Sequence, residues 1–400
     1  MTAALLAIPG VAFAIEPQDV LVFSKGPLTL RPELGLAEMY NDNIFYRDKD
    51  TLQDFISVIS PGLRLDLGKP QHNYLSLGYT MDQLFYADHS ELETAQHSID
   101  LRSRFELQRI RLEGSDRVQF LSSPLGGVVE RVVDTNGVVT VVSRNIDRTS
   151  WDDNYTLTYD LGEKTAVYLR GYHSTVDYQQ RIGLYDIETF SGTGGFSYRA
   201  FPKTALFGEI YYGQTSTEPN HPALPRNPSL NFIGGYIGAR GNFTEKLSGM
   251  AKIGYESREF GDGTEAPSDP VVDLSLTQRF SEKQSLSLSY SRLNTASIQY
   301  NRQTYTADVI GLQFVQILGS TGKWRATVGG SYTLYQYEAS GQTSISTQYD
   351  YVRASASLGY QIQRWLMSSI GYEYERVAGD SRAVIDYTVN RVSLRLAIGY

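Results

Sequence analysis

The sequence predicts an all-β protein, a transmembrane antiparallel up-and-down β-barrel of about 18 strands, with 16 as the alternative. Three observations carry this. From Leu28 onward apolar residues repeat with period 2, the spacing of a strand with two unlike faces. Short and long connections alternate along the chain, as tight periplasmic turns and long extracellular loops do in outer-membrane barrels. The last strand alternates without a break up to an aromatic final residue, Tyr400.

The N-terminus comes first in the chain. Residues 1–14, MTAALLAIPGVAFA, read as a signal peptide, with Ala12-Phe13-Ala14 as a small-x-small cleavage site and Ile15 as the first mature residue. A positively charged start is missing, so either the true start lies upstream or this is an apolar N-terminal strand. Residues 15–27 form a short periplasmic segment, too short for a folded plug or a secreted passenger domain. The barrel is expected over 28–400.

Tight turns are expected at Gly68–His72, Gln108–Arg109, Gly162–Lys164, Phe201–Lys203, Thr244–Lys246, Ser281–Lys283, Gly319–Gly322 and Gln363–Arg364. Longer polar stretches lie between them, among them Asn41–Thr51, Ala87–Gln96, Thr215–Pro228 and Glu338–Ser346. The strands between these connections are 28–40, 52–67, 73–86, 97–107, 110–121, 148–161, 165–177, 186–200, 204–214, 229–243, 246–260, 271–280, 284–293, 302–318, 323–337, 347–362, 365–377 and 383–400. The even number puts both ends on the periplasmic side. Pro32 and Pro61 interrupt the first two strands, and losing that pair would leave 16. In SLSLSY, Leu286, Leu288 and Tyr290 share one face and serines fill the other.

The longest insertion, Ser122–Asp147, holds valine-rich runs about Asn136-Gly137, a hairpin signal. It reads as an external hairpin, with an inward-folded constriction as the alternative. At the end of the chain, Val392, Leu394, Leu396, Ile398 and Tyr400 form one apolar face, and Arg391, Ser393, Arg395 and Ala397 form the other. That pattern resembles the C-terminal signal strand of outer-membrane proteins, and the resemblance implies insertion by the barrel-assembly machinery.

Composition agrees with this reading. The chain has 400 residues and no cysteine, a mild pointer to an oxidising envelope compartment. Its 29 tyrosines and 36 glycines suit interface belts and tight turns. The mean hydropathy of -0.30 does not exclude a barrel, because only alternate residues of each strand face lipid. No apolar run of about 18 residues exists to make a spanning helix. The net charge of -8, without a basic stripe, argues against nucleic acid as a partner. Phe201, Phe243, Phe280, Trp324, Trp365 and Tyr400 flank the short turns. Tyr211, Tyr212, Tyr255, Tyr335, Tyr337, Tyr372 and Tyr374 lie toward the long loops, where a second belt is expected.

Strand parity assigns a polar lumen face. It carries Asp100, Arg102, Arg104 and Glu106, then Arg111, Glu113 and Arg117, then Asp152, Asn154 and Asp160. Arg170, Glu209, Lys252, Glu256, Arg325, Arg353, Glu373, Glu375 and Arg395 follow. A charge facing hydrocarbon near the midplane costs about 2–4 kcal/mol, so these are expected inside. Each is either half of a structural ion pair or part of a path for a polar or charged solute. Asp116 breaks the parity, which suggests a bulge near Gly114 or a misplaced strand.

No catalytic residue, cofactor site or metal site is expected. Only five histidines exist, and no HxH or HExxH spacing appears. His173 and Ser174, with Asp177 nearby, are the one candidate constellation. As strand neighbours they point to opposite faces and cannot share a proton.

Tyr40–Phe45 (YNDNIF), the FISVISPGL of 55–63, Asn73–Tyr79 (NYLSLGY), Tyr86-Ala87-Asp88 and the HSID of 97–100 together resemble the beta-barrel porin 2 family, of the EpsL type found in exopolysaccharide operons. The resemblance centres on residues 28–110. It implies a Gram-negative outer-membrane barrel serving polysaccharide export and transfers no functional residue. Asn41-Asp42-Asn43 is expected to form a turn, as Asn and Asp favour. Expected partners are outer-membrane lipids and lipopolysaccharide, the assembly machinery, a polysaccharide and periplasmic export components. The competing expectations are a general diffusion porin for small polar solutes and a non-transport surface barrel acting as an anchor or adhesion scaffold.

Overall fold

The period-2 pattern closes on itself. A computed structural model of the protein describes residues 22–399 apart from 70–72, 125–130, 134–138, 142–144, 180–183, 223, 298–301, 338–346 and 380–385. The proposed signal peptide and Tyr400 lie outside the described residues.

A short strand β1 (Phe23–Lys25) lies outside the ring, paired with the start of β2 (Leu28–Asn41). The ring continues through β3 (Asp54–Gly68), β4 (Tyr74–Tyr86), β5 (Thr94–Leu107) and β6 (Ile110–Ser123). β7 (Arg131–Val133) and β8 (Val139–Val141) then pair antiparallel with each other in a separate two-stranded sheet. This is the hairpin that the valine runs predicted. Its Asn136-Gly137 turn lies outside the described residues. The ring resumes with β9 (Ile146–Asp160), β10 (Thr165–Tyr178), β11 (Tyr185–Phe201), β12 (Thr204–Pro219), β13 (Leu230–Asn242) and β14 (Leu247–Phe260). It ends with β15 (Glu265–Ser281), β16 (Gln284–Ala296), β17 (Thr304–Leu318), β18 (Trp324–Tyr337), β19 (Thr347–Gln363), β20 (Leu366–Gly379) and β21 (Tyr387–Gly399). β21 pairs back onto β2, from Glu33 opposite Gly399 to Asn41 opposite Arg391. The ring therefore has 18 antiparallel strands, not the alternative 16.

Both prolines stay in the β2–β3 ladder, Pro32 opposite Leu63 and Pro61 opposite Leu34. Pro32 sits on β2 between the residues that pair with β1 and those that pair with β21. At Pro61 the β3–β4 ladder skips from Ile59–Gln83 to Gly62–Thr80 without changing register. Proline has no N–H to donate, and at Pro61 the ladder to β4 is interrupted while its register is kept. Two strands run past their predicted ends. β12 continues to Pro219 because Tyr185 still pairs there. β15 starts at Glu265, with a register shift between Glu256 and Arg258 that takes in Pro267, while Pro270 stays paired with Tyr255.

Parity separates the faces as expected. Ile210 and Ile237 on the outer face are 74% and 70% exposed, as in a surface that meets hydrocarbon rather than water. Asp116 is an exception in direction but not in geometry. The β5–β6 and β6–β9 registers run straight through Gly114, so the expected bulge is absent and Asp116 does point outward. The Tyr155 hydroxyl donates to it at 2.6 and 2.7 Å. Other outward tyrosines do the same: Tyr290 to Asp308, Tyr332 to Asp350 and Tyr372 to Asn390, each at 2.7 Å. A carboxylate on this face is tolerable where a girdle tyrosine satisfies it near the interface. The expected loop-side belt needs one correction. Tyr212, Tyr255 and Tyr372 are exposed on the outer face, but Tyr211, Tyr335 and Tyr337 have the opposite parity and turn inward.

Glycines permit the tightest approaches between strands. A Cβ on Gly254 would lie 2.0 Å from the Gly235 carbonyl oxygen and 2.9 Å from the Tyr236 ring. We expect Gly254→Val to lower the free energy of unfolding by about 1–3 kcal/mol. The check is a urea titration of the refolded barrel in lipid vesicles, and an unchanged midpoint would contradict this close approach.

Candidate functional site

The inner wall has two unlike zones. At the end with the long loops it is apolar and aromatic. Tyr305, Ala307, Tyr335, Tyr337, Tyr349, Val377, Tyr387 and Val389 form one buried cluster there. The inner wall of an open 18-stranded ring would be wet, yet Tyr349 is only 2% exposed. The side chains and the inward-folded loops cover one another.

The first loop supplies much of that cover. Ile44 and Phe45 pack with Ile56 and Leu92 in a second cluster, against Met39, Val58, Leu84 and Tyr86. Tyr46 stacks edge-on against Tyr387, at 5.3 Å between ring centres, and Arg391 donates to its hydroxyl at 2.9 Å. Burial raises the pKa of the Tyr46 hydroxyl and Arg391 opposes the shift, so the group remains a neutral phenol. Asn41-Asp42-Asn43 holds the loop in place. The Asn43 amide N–H donates to the Asn41 side chain at 3.0 Å, the turn that the sequence suggested. The motif also does what the sequence did not suggest. The Asn43 side chain donates to the Thr388 carbonyl at 3.0 Å and to that of Arg47 at 2.7 Å. Asp42 accepts from the Asn390 amide N–H and side chain, each at 2.7 Å. NDN is thus a latch from the first loop onto β21. Other loops tie together at the same end: Arg302 pairs with Asp262 at 2.6 Å, and its amide donates to Asn227. The Thr264 hydroxyl and amide, with Arg302, hold the Asp262 carboxyl below its usual range.

Below this cover the inner wall is charged and mostly cross-paired. Arg117 meets Asp100 at 2.7 Å, and Arg104 meets Glu106 at 3.2 Å and Glu113 at 3.4 Å. Arg111 meets Glu113 at 3.5 Å. Asp152 accepts from Ser174 at 2.7 Å. Glu209 gathers the Tyr168 hydroxyl at 2.8 Å, Lys252 at 3.3 Å and Arg170 at 3.9 Å. Glu373 bridges Arg353 and Arg391, and Arg391 reaches Glu375 at 2.7 Å. Arg258 pairs with Glu256, which also accepts from Tyr211 at 2.7 Å. Arg102 and Arg395 face the same interior with no carboxylate partner among the described residues. Parity placed Arg391 on the face it shares with Arg395, but not its contacts with the first loop. Nothing local in the sequence marks Tyr46, which depends on how the loop folds back.

Along β10 to β14 aromatic rings lie over glycines of neighbouring strands. The Tyr168 ring fills the place of a Cβ on Gly195, Phe207 that on Gly238, Tyr211 that on Gly234 and Phe232 that on Gly213. Tyr211 stacks on Tyr236 at 5.3 Å, and the Lys252 amine lies 4.1 Å above the Tyr236 ring. His173 and Ser174 point to opposite faces: His173 contacts Asp153 and Glu188 outside, and Ser174 bonds Asp152 inside.

Residues 23–400 match the family described as "Putative beta-barrel porin 2". The chain belongs to this family. Solved structures with a similar architecture include Pseudomonas aeruginosa OpdQ, at 12% identity over 92% of this chain and 99% of that one, TM-score 0.48. Pseudomonas aeruginosa OccK3 (OpdO) is similar at 14% identity over 92% and 96%, TM-score 0.46. A mutant of the Pseudomonas aeruginosa ferric enterobactin receptor PfeA is similar at 9% identity over 93% and 80%, TM-score 0.47. No curated protein matches. This family member is a porin-like barrel whose structural neighbours are outer-membrane porins and receptors rather than enzymes.

Removing the Glu373 carboxylate leaves Arg353 with no described carboxylate partner and Arg391 with Glu375 alone. We expect Glu373→Ala to cost about 1.5–3 kcal/mol, the worth of hydrogen bonds to a charged group. Tryptophan fluorescence during urea unfolding checks this, and a loss within error would mean that the network is not holding the wall.

Proposed function

We propose that this porin-family barrel is a Gram-negative outer-membrane channel through which an exopolysaccharide chain leaves the periplasm. The observation that carries the reading is the inner wall of β10 to β14. Rings packed against glycines line the wall there, so Tyr211, Phe232 and Tyr236 present aromatic surface beside the Glu256 carboxylate and the Lys252 amine. Flat rings stack on the C–H faces of sugars, and neighbouring charged groups hydrogen-bond sugar hydroxyls. The lengthwise row of rings suits a chain better than a single small solute. In this reading the short turns are periplasmic and the long loops extracellular. Val392, Leu394, Leu396, Ile398 and Tyr400 serve as the assembly signal. The latched first loop is the constriction that a passing chain displaces.

A general diffusion porin for small polar solutes is the second reading. It is favoured by the cross-pairing of most inner charges, which leaves few groups for specific recognition.

Single-channel conductance of the refolded barrel in a planar bilayer tests both. Current blocked by a long polysaccharide supports export, current indifferent to the polymer favours the general porin, and a folded but silent barrel overturns both. Asn43→Ala removes the latch donor to Thr388 and Arg47. We expect a larger or more fluctuating single-channel current, and an unchanged trace would show that the first loop does not set the constriction.

A further inference from the structure

Three arginines of the inner wall have no carboxylate partner among the described residues. Arg102, Arg240 and Arg395 lie on β5, β13 and β21, each in the half of its strand nearest the short turns. Their register explains why they lack partners. Arg102 stands opposite Ser76 and Ser115, Arg240 opposite Ala205 and Met250, and Arg395 opposite Ala37 and Ser369. By contrast Arg104 and Arg117 stand directly opposite Glu113 and Asp100. The Arg240 guanidinium lies 5.3 Å from both the Tyr168 and Phe207 ring centres, which holds it in place without neutralising it. Among the inward carboxylates, Asp160 shares the short-turn half, opposite Ala166, and two others lie farther along. Asp82 is met by the Ser60 hydroxyl and Asp152 by Ser174, with no cation on either among the described residues.

We propose that the short-turn half of the lumen is a capture site for an acidic sugar polymer, with Arg102, Arg240 and Arg395 binding its carboxylates. This rests on the channel reading and narrows its substrate class. A guanidinium offers a planar, permanently charged fork that matches a carboxylate two bonds at a time. Three such groups spread round one half of a polar interior focus the field and raise the local concentration of anions there. Tyr168 and Phe207 beside Arg240 place an apolar sugar face next to the carboxylate it would bind. The acidic residues beyond are held by hydroxyls, so a polyanion is drawn in at the short-turn end and meets weaker attraction as it advances. The chain's net charge of -8 predicts the contrary preference if only the total mattered.

The test is the reversal potential of the refolded wild-type barrel under a KCl gradient, with block by a uronic-acid oligomer compared with a neutral maltooligosaccharide of equal length. We expect chloride to be preferred, and the uronate oligomer to block from the short-turn side at roughly tenfold lower concentration, about 1.4 kcal/mol. Combined Arg102→Gln, Arg240→Gln and Arg395→Gln removes both effects. If that variant does not refold, Arg102→Gln alone, between two serines, is expected to give part of the shift. Equal block by both oligomers, or a cation preference in the wild type, overturns the capture site while leaving a conducting channel. Absence of any conductance overturns the channel reading itself.

Discussion

Every other feature of this molecule depends on the pairing of β21 with β2. A sheet crossing hydrocarbon has no water to satisfy an open edge, and each unpaired N–H or C=O there costs several kcal/mol. Closing the ring removes both edges at once. The alternation of faces, the outward isoleucines and leucines and the inward charges gain their meaning from that closure. Before it, the same strands would be an aggregating sheet. The proline at position 61 interrupts the β3–β4 ladder locally and leaves its register unchanged, so the ring still closes.

Inside the ring, size creates a second problem. Eighteen strands enclose more space than their own side chains fill. The protein solves it differently at its two ends. At the long-loop end tyrosines and loop residues pack as they would in a soluble core. Toward the short turns arginines and carboxylates face each other across neighbouring strands and leave the interior polar. The result is a graded interior: an apolar cover above and a polar, largely cross-paired wall below.

Much of this was legible in the sequence, for a specific reason. Period-2 alternation and turn spacing are local, so all the ring strands could be placed, and parity put Asp100, Arg117, Glu373 and Arg395 on one face. What parity lacks is depth and distance. It placed Tyr211, Tyr335 and Tyr337 near the long loops but not on which side of the wall they act. It read the outward Asp116 as a slip of register, because the Tyr155 hydroxyl that satisfies it comes from the neighbouring strand, far along the chain. The NDN turn was visible, but its grip on Thr388 and Asn390 joins opposite ends of the chain and has no local signature. Which arginines remain unpaired was equally hidden, since that depends on what register sets opposite them.

The latch has a mechanical consequence. The β2–β21 ladder stops at Asn41 and Arg391, and the next links across the same join are Asp42 to Asn390 and Asn43 to Thr388. The loop is therefore the last few stitches of the seam as well as a cover. Swinging it clear would shorten the join between the two ends of the chain, so an easily opened mouth and a tightly sewn wall are competing demands on the same three residues.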